Sequence, residues 1–128
     1  MNKPVITYYK NGKKYSEEYF LNDELHRTDG PAYIYWHENG QKWTEEYYLN
    51  DELHRADGPA IISWYENGQK SFEKYLLNSE LHRTDGPAYI GWYENGRKYY
   101  EEYHLNGEKI KASSDLDFKK IVKLMAFK

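Results

Sequence analysis

Polar and apolar residues alternate along most of this chain, in runs that stop at the same turn residues each time. In residues 31–37, PAYIYWH, and 41–49, QKWTEEYYL, every second side chain belongs to one recurring set, as expected where successive residues of a strand point to opposite faces. Asn-Gly at 11–12, 39–40, 67–68 and 95–96 divides the runs. It is the strongest short-range hairpin signal and predicts positive φ at both of its residues. A second set, Asn22-Asp23, Asn50-Asp51, Asn78-Ser79 and Asn106-Gly107, carries weaker turn chemistry, because Asp and Ser tolerate the left-handed region less readily than Gly. Asp-Gly-Pro at 29–31, 57–59 and 85–87 opens the next run, since proline has no N–H for a ladder. Residues 31–37, 41–49 and 52–54 are therefore predicted as three antiparallel strands.

The punctuation recurs because the sequence does. Residues 21–48, 49–76 and 77–104 read LNDELHRTDGPAYIYWHENGQKWTEEYY, LNDELHRADGPAIISWYENGQKSFEKYL and LNSELHRTDGPAYIGWYENGRKYYEEYH, three 28-residue units without a gap. Residues 4–20 form a truncated leading unit, and 105–110 begin a fifth. A fixed period of this size implies stacked units that lean on their neighbours, so the expected fold is mainly β. More fully, it is a single domain over 1–128, an antiparallel β-meander repeat array with about three short strands per unit and a C-terminal capping α-helix. The helix is expected over 115–127: Ser114 precedes Asp115 and Asp117, and Phe118, Ile121, Val122 and Met125 fall on one face with Leu124 beside it.

The pleat sorts side chains into two faces of different kind. Ala32, Ile34, Trp36, Glu45, Tyr47 and Leu49 return 28 and 56 residues later as the same residue types, which marks a stacking face. Opposite them the residues change. Tyr33 and Tyr35 become Ile61 and Ser63, then Tyr89 and Gly91; Thr44, Glu46 and Tyr48 become Phe72, Lys74 and Leu76, then Tyr100, Glu102 and His104. Fifteen tyrosines exceed what a core of this size needs, and rigid amphipathic aromatics are favoured at binding surfaces. Tyr33, Tyr35, Tyr48, Phe72, Tyr89, Tyr100 and His104 are therefore the candidate partner-binding residues.

Charge and chemistry narrow the classes. A net charge of −3 with 30% charged residues disfavours nucleic acid as a partner. The absence of cysteine excludes disulfides and thiolate metal sites. No segment reads as a signal peptide or membrane span, so a cytoplasmic protein without membrane insertion is expected. His-Arg-x-Asp at 26–29, 54–57 and 82–85 invites a catalytic or metal reading, but three equivalent copies suit a structural ladder better than one asymmetric site. The row Glu17, Glu45, Glu73 and Glu101 offers no cleft for paired carboxylates. No catalytic, metal-binding or cofactor-binding residue is assigned, and no cofactor is expected. Fourteen Lys against four Arg, with nine Asn, is the composition of an AT-rich genome.

The stretch YWHENGQKWTEEYYLNDELHR and its copies YENGQKSFEKYLLNSELHR and YENGRKYYEEYHLNGEKI resemble the bacterial variant of the MORN repeat, over residues 4–110. The chain departs from that pattern at Arg27, Arg55 and Arg83, which stand where the family has a glycine after the histidine, and in an added x-D-G-P-A that lengthens the period. The resemblance implies a twisting β-meander that acts as a binding scaffold, as in antitoxin-like bacterial proteins, and brings no catalytic residue. The expected function is a non-enzymatic protein-binding module, an inhibitor or antitoxin-like protein of bacterial or phage origin that occludes a protein partner, existing as a monomer or weak homo-oligomer. The alternative is a structural component that self-assembles on the same scaffold.

Overall fold

In the computed structural model, residues 3–126 are described, and the expected Phe127 end of the helix lies outside them. The chain is mainly β. The leading unit gives β1 (Val5–Tyr8) and β2 (Lys14–Glu18), then a small hairpin of β3 (Phe20–Leu21) and β4 (Glu24–Leu25). The next unit gives β5 (Tyr33–Trp36), β6 (Lys42–Glu46), β7 (Tyr48–Leu49) and β8 (Glu52–Leu53). It is followed by β9 (Ile61–Trp64), β10 (Lys70–Lys74), β11 (Leu76–Leu77) and β12 (Glu80–Leu81). The last unit has β13 (Tyr89–Trp92), an unbroken β14 (Lys98–Leu105), β15 (Glu108–Ile110) and the helix α1 (Asp115–Met125). One nine-stranded antiparallel sheet runs β1-β2-β5-β6-β9-β10-β13-β14-β15, while β3-β4, β7-β8 and β11-β12 stand as separate two-stranded hairpins.

Register carries the repeat across the sheet. Ile6, Glu17, Ile34, Glu45, Ile62, Glu73, Ile90 and Glu101 lie opposite one another in a single row. Each Glu in that row forms an ion pair with the Lys three residues before it: Lys14 with Glu17, Lys42 with Glu45, Lys70 with Glu73 and Lys98 with Glu101. The first three lysines also lie over Trp36, Trp64 and Trp92 of the following unit, with Nζ 5.5–5.9 Å from the ring centroid.

Three expectations about local structure are corrected. At the Asn-Gly turns only Gly takes positive φ (88° at Gly40), and the closing bond is His37 N–H to the Gln41 carbonyl. This makes a three-residue loop that ends in a left-handed glycine, not a two-residue turn. The two-residue turn with both residues left-handed forms at the weaker set instead, with φ 50° at Asn50 and 65° at Asp51. Two of these turns also tie their hairpin to the one before it: Asp51 Oδ1 accepts from Leu25 N–H at 2.6 Å and Ser79 Oγ from Leu53 N–H at 3.1 Å. At those two turns the bond offsets part of the left-handed strain.

The predicted strand 41–49 is also split. Tyr47 N–H turns away to the Ala60 carbonyl and Tyr47 O takes His54 N–H, so β7 leaves the main sheet. Ala32, Ala60 and Ala88 sit at these corners with 0% exposure, where a larger side chain would have no room. The third correction is a bulge in each of the hairpins β1-β2, β5-β6, β9-β10 and β13-β14. Tyr35 pairs with Thr44 and Trp36 with Lys42, which leaves Trp43 as an extra residue; Tyr15, Ser71 and Tyr99 hold the same place elsewhere.

The His-Arg-x-Asp-Gly loops are consumed by structure. Arg55 lays its guanidinium over Tyr47, 4.0 Å from the centroid, donates Nη1 to the Pro59 carbonyl and pairs with Asp57. Arg27 on Tyr19 and Arg83 on Tyr75 do the same. A Cβ at Gly58 would stand 2.9 Å from Arg55 Cζ, which explains a glycine there. The histidines tie units together: His26, His54 and His82 accept through Nδ1 from the N–H of Asn50, Asn78 and Asn106 in the next hairpin.

The C-terminal helix forms as expected and packs on the last unit over Tyr103, leaving the outer edge of β14 at residues 98–102 uncovered. Ser114 caps it by accepting from Asp117 N–H, Tyr103 donates to Asp115 at 2.6 Å, and the fully buried Phe118 ring lies 4.6 Å from that of Tyr103. No helix among the described residues is long and apolar enough to cross a membrane.

Candidate partner-binding face

The bulges decide what the variable face presents. An unbroken alternation would put Trp43 on the same side as Glu45. The extra residue turns it over, so that Trp43 stands 6.1 Å from Tyr35 and stacks on His37 at 5.1 Å. Tyr15, turned over in the same way, stacks on Tyr35 at 4.9 Å and meets Tyr9 edge-on at 5.0 Å. Tyr33 packs edge-on against Tyr35 at 4.2 Å. Tyr35 is half-buried in this patch, and burial above all, with Tyr15, Glu18 and Glu46 nearby, pushes its phenol up to about 12. Trp43 keeps 42% of its surface exposed and forms the patch's outer rim.

A second patch lies toward the C-terminal end. Phe72 and Tyr89 are 6.2 Å apart, Tyr89 and Tyr100 are 4.9 Å apart, and Tyr99 joins Tyr100 at 6.2 Å and Tyr93 at 4.6 Å. Lys74 Nζ lies 4.7 Å over the Tyr89 ring and 5.5 Å over Phe72. Gly91 lets these rings close up, because a Cβ there would meet Tyr99 at 3.2 Å.

Between the patches the bulky residues are gone. Ser63 replaces Tyr35 and Ser71 replaces Trp43, and Ser63 Oγ bonds to the Trp43 carbonyl at 3.1 Å. The result is a groove of about 1050 Å³ between Trp43 and Phe72, with Ser63 and Ser71 in its lining and Tyr9, His37 and Tyr65 along it. The positions at which the units differ supply two aromatic walls and the serines between them, while Glu38, Glu66 and Glu94 with Asn39 and Asn67 of the shared turns complete the lining. Tyr33, Tyr35, Phe72, Tyr89 and Tyr100 belong to those walls.

The other two candidates lie elsewhere. Tyr48 sits on the small hairpin β7, its hydroxyl bonded to Glu46 at 2.9 Å, and burial holds its phenol well above the tyrosine range. His104 is buried on β14, with Nε2 3.1 Å from Glu102 Oε1, while its buried Nδ1 has no hydrogen-bond partner among the described residues. Trp43, Tyr15 and Tyr99 were not singled out from the sequence. The signal that could have found them is the Lys-x-x-Glu pair of every unit, since an ion pair three residues apart on one strand face requires an extra residue between.

Glu102 is the most perturbed carboxyl described. Hydrogen bonding from Tyr100, then Lys109 at 3.0 Å and His104, holds it down to about 2 from an ordinary 4.5. A depressed carboxyl adds stability that is full above about 4.5 and is lost as pH falls toward about 2. Glu102→Gln is expected to lower stability at pH 7 by about 1–2 kcal/mol, allowing for solvent screening. In chemical denaturation at a series of pH values, the gap to the parent protein should close below pH ~3.

Among the described residues no group of three or more His, Asp or Glu is gathered to hold a metal ion. No family model, curated protein or solved structure matches this chain.

Proposed function

We propose that this chain is a non-enzymatic binding scaffold that holds one protein partner across its variable face. It would act as an inhibitor or antitoxin-like protein by occluding that partner, in keeping with its resemblance to bacterial MORN repeats. The observation that carries the reading is the groove between Trp43 and Phe72: the aromatic walls and serine lining occur where the units disagree, while the shared His, Arg and Asp are spent on stacking. Exposed aromatic rims around a polar gap suit an inserted side chain or loop of a protein, with aromatic contact area supplying most of the affinity.

Two opposite changes test this. A partner captured from cell extract is purified and titrated calorimetrically against the parent protein and the variants. Trp43→Ala with Tyr33→Ser is expected to weaken binding about 100-fold, the scale of a lost hot-spot pair. Ser71→Trp, which writes the first unit's residue into the middle one, should fill the groove and abolish binding while leaving the melting temperature near that of the parent. Binding that survives both changes would overturn the reading.

A further inference from the structure

The two ends of the main sheet are unfinished in complementary ways. Among the described residues β1 pairs only with β2, and residues 98–102 of β14 pair only with β13. Everywhere between, a strand of this second type hands on to the first strand of the next unit, as β6 does to β9 with Thr44, Glu45 and Glu46 opposite Ser63, Ile62 and Ile61. The 28-residue period puts Tyr100, Glu101 and Glu102 in the places of Thr44, Glu45 and Glu46, and Thr7, Ile6 and Val5 in those of Ser63, Ile62 and Ile61.

The side chains tell the same story. Asn11, Asn39 and Asn67 each donate Nδ2 to a carbonyl of the following unit, at Glu38, Glu66 and Glu94, and Tyr9 and Tyr65 donate their hydroxyls to the Trp36 and Trp92 carbonyls. Their counterparts Asn95 Nδ2 and Tyr93 Oη have no such acceptor among the described residues, and Tyr93 is 55% exposed. At the other end Val5 and Tyr8 are 54% and 60% exposed. Asp23 has the left-handed turn conformation of Asp51, and among the described residues its carboxylate accepts no bond from an earlier hairpin. The helix does not cover the β14 edge: Phe118 packs on Tyr103, and Lys119 reaches back to help lower the Asp85 carboxyl, after the larger effect of Arg83.

We propose that copies of this chain join head to tail, β14 of one copy taking β1 of the next in the register of β6 with β9, so that Glu102, Glu101 and Tyr100 face Val5, Ile6 and Thr7. Asn95 then donates to the Lys10 carbonyl, Tyr93 to the Tyr8 carbonyl, and Asp23 accepts from Lys109 N–H, as their counterparts do within the chain. The joint is heterologous and does not close on itself, so it extends as a filament. It rests on the sheet edges and does not depend on the aromatic groove.

Sedimentation velocity of the full chain, from about 1 µM to about 500 µM, tests this through the mass action that any association obeys. The average mass is expected to climb from 15.4 kDa past the dimer without a plateau. Val5→Glu, which sets a carboxylate against Glu102, blocks one end; Tyr93→Ala with Asn95→Ala blocks the other; each should weaken association at least tenfold at an unchanged melting temperature. Mixed one to one, the two variants should form a dimer and stop there, since each keeps the end the other lacks. Tyr8→Lys, which brings a second lysine to Lys98, provides an independent block of the first end. Trp43→Ala with Tyr33→Ser should leave self-association intact, which separates this joint from partner binding. A chain that stays monomeric throughout, growth that survives both blocks, or a mixture that gives no dimer would overturn the proposal.

Discussion

Phe118→Ala is expected to lower stability by about 3–4 kcal/mol, at the level of a large aromatic removed from a fully buried site. Phe118 is the one helix side chain that is completely buried, and it lies on Tyr103. In the earlier units the equivalent tyrosines Tyr19, Tyr47 and Tyr75 carry the guanidinium of Arg27, Arg55 and Arg83. The period places Lys111 where the next arginine would stand, and the phenyl ring of the helix covers the tyrosine instead. An eleven-residue helix is marginal in water, so without that anchor α1 should unfold despite its Ser114 cap. Loss of the helical signal at 222 nm and new proteolytic cleavage within 115–125 would accompany a lower urea midpoint. Leu124→Ala, at a position 68% exposed, should change stability by no more than about 0.5 kcal/mol. A Phe118→Ala cost below about 1 kcal/mol would show that the ring does not anchor the helix to the last unit.

Much of this architecture is legible in the letters because the repeat over-determines it. The Ile and Glu row, the meander order and the capping helix all follow from a strict period, alternating faces and an N-cap serine. What escaped reading was set by choices of the backbone. Asn39-Gly40 and Asn50-Asp51 look like a strong and a weak version of one turn. Yet the weak one takes the two-residue form, and at Asn50-Asp51 the Asp51 carboxylate adds a bond from Leu25 N–H in another unit. That bond spans 26 residues and is invisible to any local rule. Tyr47 likewise alternates correctly with Glu45 and Leu49, and only the competing Ala60 carbonyl takes its N–H out of the sheet. The bulge had the largest consequence for the site. A one-residue insertion leaves the alternation of letters intact while moving Trp43 and Tyr15 to the opposite face, where they build half of the candidate wall.

Arg55→Lys is expected to destabilise the protein by about 2 kcal/mol, nearly as much as Arg55→Ala, although both Arg and Lys are cations. The ion pair is the smaller part, because Asp57 is 89% exposed and a solvated pair of this kind contributes little. The larger part is geometric. A planar guanidinium can lie 4.0 Å over Tyr47 while Nη1 reaches the Pro59 carbonyl at 3.1 Å, and an ammonium cannot do both. Asp57→Ala should therefore change stability by less than about 0.5 kcal/mol. Gly58 supplies the decisive control. A methyl group there would stand 2.9 Å from Arg55 Cζ, so Gly58→Ala should displace the guanidinium and cost about 1–2 kcal/mol alone. In an Arg55→Ala background the same change meets no guanidinium and should cost little. A coupling of about 1 kcal/mol or more in that double-mutant cycle, measured by urea denaturation, is expected if the stacked arginine organises the corner. Additive costs would mean that Gly58 serves the backbone and that the ion pair, not the stack, holds the loop. The stakes extend beyond one loop, since Arg55 N–H also bonds the Leu76 carbonyl of the next hairpin, so loosening this corner loosens the joint between two units.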